Sequence, residues 1–170
     1  MGLDKDAPLH PQSLAEHLGV MVFTPSKITG MSPESLKVLL HRDKDSWSAI
    51  TVSVDGTEAI IHNSSHSKAR QTSDIMHELA HIIIGHQTSH FAMAYQDNEE
   101  LVLRSYNADQ EEEAEWLSGC LLLPRNALLI RMLEGMNSDE ICTKYGVSSI
   151  LLKMRINKTG INAQLAAISR

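Results

Sequence analysis

Three residues of this chain, His77, Glu78 and His81, have the types and spacing of a hydrolytic metal site. Histidines four positions apart on a helix lie on one face, about one turn from each other, so both imidazoles can bind one metal ion. The carboxylate of Glu78 lies beside them and can reach a water molecule at that ion. In H-E-x-x-H sites the histidines bind zinc and the glutamate acts as the general base.

The same stretch also has the pattern of an ordinary buried helix. Its apolar residues recur at helical spacing and predict one core-facing side: Ile75, Leu79, Ile82 and Ile83. The two interpretations are compatible, because a metal-binding helix also packs one side against the core.

A catalytic zinc site needs a third protein ligand and one open position. His86 follows His81 by five residues, whereas the extended motif with a third histidine requires six, so we interpret His86 as a residue at the helix end. Glu111 and Glu115 of a later helix share one face. One can bind the metal while the other bonds a ligating histidine, and we favour Glu111 as the ligand. Glu113 is the alternative ligand if the helix is rotated so that Glu113, rather than Glu111, faces the histidines.

In these two segments the chain resembles the ImmA/IrrE family of metallopeptidases. The resemblance rests on HSKARQTSDIMHELAHIIIGH at 66–86 and on EEEAEWLSGCLLLP at 111–124. It implies that His77, His81 and Glu111 bind one Zn²⁺, with another divalent metal as the alternative, and that Glu78 is the catalytic base. The family often has Asn or Asp where this chain has Glu115.

The resemblance also implies a fold and a function. The fold is a minimal zincin, and the activity is that of an intracellular zinc endopeptidase. The expected substrate is a helix-turn-helix transcriptional repressor of a mobile element or stress response. Transition-state stabilisation in such an enzyme needs a further electrophile, and His66, Tyr95 and Tyr106 are the candidates. Arg70 is interpreted as a member of a structural ion pair.

The pattern of helices and strands predicts an α+β fold. A small antiparallel or mixed sheet, with a hairpin turning at Asp55-Gly56, precedes the histidine helix, and a helical C-terminal half follows it. We assign residues 1–135 to a zincin-like domain and 136–170 to a helical extension packed on it as one compact unit. The segment 101–104 is a candidate strand. The acidic segment 97–115 is expected to attract a basic partner or to close over the site.

The C-terminal segment 136–158 resembles a helix-turn-helix, with Lys153, Arg155 and Lys158 on its second helix. One interpretation is DNA contact, which would make the chain a DNA-binding or adaptor-type regulator with a non-catalytic metal site. The other is packing on the core or binding of a protein partner. The formal charge of −6 makes direct nucleic-acid binding the weaker prediction.

The N-terminal sequence has no signal-peptide pattern, and the chain has no apolar run of membrane-spanning length. Cys120 and Cys142 form neither a disulfide framework nor a Cys-x-x-Cys metal motif. The sequence therefore predicts a cytoplasmic protein without a membrane partner.

Overall fold

The computed structural model describes residues 2–54, 57–86 and 107–168, and the statements below concern these ranges. In chain order their regular elements are α1 (Pro11–Leu18), β1 (Met21–Phe23), a 3₁₀ turn (Pro25–Lys27), α2 (Pro33–Lys37), a π-helical turn (Val38–Arg42), β2 (Ala49–Val54), β3 (Thr57–His62), α3 (Lys68–Ile84), α4 (Ala108–Leu122), α5 (Arg125–Leu133), α6 (Ser138–Tyr145), α7 (Ser149–Thr159) and α8 (Ile161–Ile168). None of the described helices has both the length and the apolar character that crossing a bilayer requires.

The three strands form one small mixed sheet in the order β1-β3-β2. The central strand β3 pairs parallel with β1 and antiparallel with β2, and Val52 lies opposite Ala59 in the second pair. The predicted α+β class and the small mixed sheet are therefore confirmed. The predicted turn at Asp55-Gly56 and the candidate strand at 101–104 lie outside the described residues.

The histidine helix α3 is held at both ends by local interactions. The Ser67 side chain accepts a hydrogen bond from the Arg70 backbone N–H at its start, and Gly85, with φ of 81°, ends it in the left-handed conformation. Ile75 and Leu79 are fully buried. Ile83, in the last turn, is 44% exposed, so the buried face ends earlier than the sequence pattern predicts.

The helix α4 packs along α3 and also continues the core of the molecule. The Asn107 side chain caps it by accepting hydrogen bonds from two backbone N–H groups of its first turn. Ala114 and Gly119 are buried, and a Cβ atom at Gly119 would lie only 3.2 Å from the Arg155 Cδ atom. The absence of a side chain at Gly119 therefore leaves room for Arg155 of α7. The first turn of α4 meets the middle of α3, where Glu111 lies 3.1 Å from His77.

The C-terminal segment contains three helices, whereas the sequence pattern predicted two. Gly160, with φ of 63°, ends α7 in the left-handed conformation, and Ile161 starts α8 with a fully buried side chain. The missed helix follows directly on Gly160, so no Ser, Thr, Asp or Asn stands immediately in front of it to mark its start. It is stabilised by packing against α5 and α7.

Arg155 has a packing role rather than a surface one. It is only 2% exposed, its Nε–H donates to the Leu123 carbonyl oxygen, and its guanidinium lies over the Trp116 ring at 5.6 Å. Lys153 and Lys158 remain exposed. The predicted basic surface on the second helix therefore loses one of its three members, because that side chain fills the space between α7 and α4.

His62, the last residue of β3, has an environment that disfavours its protonated form. Its side chain is buried, and its Nδ1 atom has no hydrogen-bond partner among the described residues. Burial lowers the pKa of the imidazole below the ordinary 6.5, and the positive charge of Lys68 lowers it further, while Asp74 partly opposes this.

This environment predicts a pH-dependent contribution to stability. Below about pH 6.5 the unfolded chain protonates His62 while the folded chain does not, so the free energy of unfolding falls as the pH falls. We expect urea unfolding of the metal-free protein at pH 7.5, 6.5 and 5.5 to show that the free energy of unfolding falls less with decreasing pH in His62→Gln than in the wild type. Equal losses in the two proteins would contradict the assignment.

Candidate metal centre

His77, His81 and Glu111 bring one ligand atom each to a single point between α3 and α4. The Nε2 atoms of the two histidines are 3.0 Å apart. The Glu111 Oε2 atom lies 3.1 Å from the Nε2 of His77 and 3.7 Å from that of His81. Glu111 lies 34 positions after His77 in the sequence, so the packing of the helices and not the local sequence assembles the triad.

The triad has the size that a tetrahedral metal ion requires. Ligand atoms at 2.0–2.1 Å from a tetrahedral ion are about 3.3 Å from one another, close to the mean of the three distances. A triangle with these edges has a circumradius of about 1.9 Å, so the three atoms could hold one divalent ion at bonding distance. Two imidazoles and one carboxylate are suitable donors for a divalent transition metal.

The triad opens on one side into a cleft of about 560 Å³. The side chain of His81 is 10% exposed, whereas those of His77 and Glu111 are 27% and 26% exposed. His77 and Glu111 line this cleft. Catalytic metal sites keep an open position of this kind, whereas structural sites are closed by protein ligands.

Glu78 lies in the same cleft and is held by a residue of the sheet. The residue is 5% exposed, and its Oε2 atom accepts a hydrogen bond of 2.6 Å from the Thr51 hydroxyl of β2. A buried carboxylate keeps its charge only where donors are aimed at it. Thr51 therefore fixes the orientation of Glu78 beside the metal triad.

Residues 15–157 match the family described as the IrrE N-terminal-like domain, of the M78 peptidases. The chain belongs to this family. The match contains the metal triad His77, His81 and Glu111 together with Glu78. No curated protein and no solved structure matches the chain.

As a member of this metallopeptidase family, the chain contains the two elements on which the resemblance to ImmA/IrrE proteins rests.

Thr51 was not predicted as a site residue. The available signal was its place in β2. Thr51 lies on the same buried side of the strand as Ala49, and a buried hydroxyl needs a hydrogen-bond partner. Its partner is 27 residues away in sequence, on another element, and the strand pattern does not reveal it.

Glu113 and Glu115 lie outside the triad. Glu115 is exposed and lines the cleft, and within the described residues its carboxylate makes no hydrogen bond to His77 or His81. Glu113 lies with its Oε2 atom 2.9 Å from the Nε2 of His86. The prediction that His86 only closes the helix end is incomplete, because its ring also contacts that of His81.

His66 makes polar contacts with both of its ring nitrogens. Its Nδ1 lies 3.2 Å from the Asp74 carboxylate and its Nε2 lies 2.9 Å from the Lys44 carbonyl oxygen. A role of His66 in transition-state stabilisation stays a prediction. Tyr95 and Tyr106, the other two candidates, lie outside the described residues.

Arg70 occurs in the ion pairs that the sequence predicts. Its guanidinium lies 3.9 Å from the carboxylates of both Asp45 and Asp74, and its Nη2 donates to the Ser48 hydroxyl at 3.1 Å. These contacts tie the start of α3 to the segment before β2, which forms one wall of the cleft.

The Thr51–Glu78 contact predicts a measurable contribution to stability. We expect Thr51→Val to lower the free energy of unfolding of the metal-free protein by about 1–3 kcal/mol, because the buried carboxylate loses its donor. Thr51→Ser keeps the hydroxyl and is the matched control, with a smaller loss. The measurement is urea unfolding in the presence of a chelator. A Val variant as stable as the Ser variant would show that the hydrogen bond is not needed.

Proposed function

We propose that this protein is a zinc-dependent endopeptidase that hydrolyses a peptide bond in a protein substrate. The observation that carries the proposal is the His77–His81–Glu111 triad beside a cleft that His77, Glu111 and the buried Glu78 line. Membership of the IrrE N-terminal-like domain family supports the same class of reaction. The donor set of two histidines and one glutamate is among those that catalytic zinc sites use, which favours zinc over harder divalent ions.

Zinc bound at the triad supplies Lewis acidity, which makes water nucleophilic at neutral pH and polarises a carbonyl group. Glu78 takes the proton of the attacking water and delivers it to the leaving amine. The Thr51 hydroxyl holds one oxygen of that carboxylate, so the general base keeps its position through both transfers. Ser48 and its neighbours in the sequence line the wall of the cleft that a substrate would contact.

The walls of the cleft favour an extended peptide as the substrate. Residues 45–50, which lead into β2, form one wall, and β2 is an outer strand of the described sheet. A peptide can add to such an edge through main-chain hydrogen bonds. Leu151 and Met154 of α7 line the same cleft and offer an apolar surface to a substrate side chain. The C-terminal helices thus contribute to substrate binding in this proposal.

We infer that the substrate is a helix-turn-helix repressor, as the family resemblance implies. Besides the hydrolytic residues, Asp45, Asp74 and Glu115 line the cleft, and its lining in the described ranges includes no Lys or Arg. Such a cleft favours the basic surface of a DNA-binding protein. Glu111 and Glu115 of the predicted acidic segment line it, and residues 97–106 lie outside the described ranges. A repressor substrate places the reaction in the cytoplasm.

Direct DNA binding by the C-terminal helices is the less supported function. Burial of Arg155 leaves Lys153 and Lys158 as the exposed basic residues of α7. Two lysines on a chain with a net charge of −6 make a weak phosphate-binding surface.

The proposed activity is tested with Glu78→Gln, which keeps the size of the side chain and removes its basicity. We expect this variant to bind zinc like the wild type and to lose cleavage by a factor of about 10² or more. The measurement is mass spectrometry of fragments after zinc-loaded protein is incubated with purified candidate repressors and with a peptide library. Fragments that appear equally with both proteins would contradict the mechanism. Stable binding of a repressor without any fragment would instead support an adaptor.

A further inference from the structure

A row of three side chains leads from the metal triad to the protein surface. The Nδ1 atom of His81 lies 3.0 Å from the Nδ1 of His86, and the Nε2 of His86 lies 2.9 Å from the Glu113 carboxylate. The His86 side chain is 8% exposed, whereas that of Glu113 is 63% exposed. The row therefore begins at a ligating atom, passes through a buried imidazole and ends at a carboxylate in water.

The chemistry of the imidazoles allows one arrangement of protons along this row when a metal is bound. His81 presents Nε2 to the triad, so as a neutral ligand it holds its proton on Nδ1. That N–H points at the Nδ1 of His86, which must then be an acceptor. His86 therefore holds its own proton on Nε2, and this N–H donates a hydrogen bond to the Glu113 carboxylate. Each contact then has one donor and one acceptor.

The local fold explains why these residues meet. Gly85 takes up the left-handed conformation, and the backbone N–H of His86 donates to the His81 carbonyl oxygen at 3.0 Å. This turn brings the His86 side chain back against the ring of His81, with ring centroids 5.0 Å apart. Glu113 follows Glu111 by two positions on α4, so one helix supplies the metal ligand and the outer carboxylate.

We propose that His86 and Glu113 are positioning residues for the metal ligand His81. They hold its Nε2 tautomer and ring orientation, and the Glu113 charge strengthens the hydrogen bond that His81 donates. Outer partners of this kind raise the basicity of the ligand, and their loss weakens metal binding by about 10–100-fold. This inference rests on the proposed metal function and adds residues that are not ligands.

The direct test is the zinc dissociation constant of purified protein, measured by competition with a chelator. We expect His86→Ala and Glu113→Ala to bind one zinc at saturation, with dissociation constants raised about 10–100-fold. Glu112→Ala is the matched control, because Glu112 is an exposed neighbour on α4, and its dissociation constant should stay at the wild-type value. His86→Asn places an amide oxygen near the lost Nδ1 and should recover part of the affinity. Zinc binding of the two Ala variants equal to that of the control would overturn the inference.

A second measurement avoids variants altogether. In the ¹⁵N spectrum of the zinc-loaded wild type, we expect the proton of His81 on Nδ1 and that of His86 on Nε2. A proton on Nδ1 of His86 would overturn the proposed role even if the variants fail to fold.

The two proposals fail in different ways. A wild type that binds no zinc would overturn the metal proposal itself. Ala variants that bind zinc as tightly as the wild type would overturn only the positioning role.

Discussion

The packing of α4 along α3 is the constraint on which the rest of the site depends. It places the Glu111 carboxylate 3.1 Å from His77 across 34 residues of sequence, and no local interaction could do this. Ala114 of α4 and Ile75 and Leu79 of α3 are fully buried, so the core fixes both helices. The geometry of the metal triad is therefore a consequence of core packing, and it is as rigid as that packing.

Concentrating polar groups in this part of the core has a cost in stability that specific partners offset. Glu78 is buried and held by Thr51, and His81 is buried and contacts His77 and His86. A metal ion bound only by the folded chain would add stability in proportion to the logarithm of its concentration relative to its dissociation constant. The same groups would then serve hydrolysis and the stability of the folded state.

The part of the site on α3 could be predicted because the four-residue spacing of His77 and His81 is a local helical repeat. Glu111 was favoured by the shared helix face of Glu111 and Glu115 and by the family resemblance, but its approach to His77 depends on packing across 34 residues. The role of Thr51 and the row from His81 to Glu113 depend on how a strand and a second helix dock on α3, which periodicity does not reveal. The burial of Arg155 was hidden for the same reason, since its partners are the Leu123 carbonyl oxygen and the Trp116 ring on a distant segment.

Two helices of this protein supply the three side chains that are proposed to hold one metal ion. The zinc content of dialysed wild-type protein, determined by elemental analysis beside that of Glu111→Ala and Glu115→Ala, tests this arrangement directly. We expect about one zinc per chain in the wild type and in Glu115→Ala, and none in Glu111→Ala. Zinc retained by Glu111→Ala at the wild-type level, or no zinc in the wild type after zinc is added back, would contradict it.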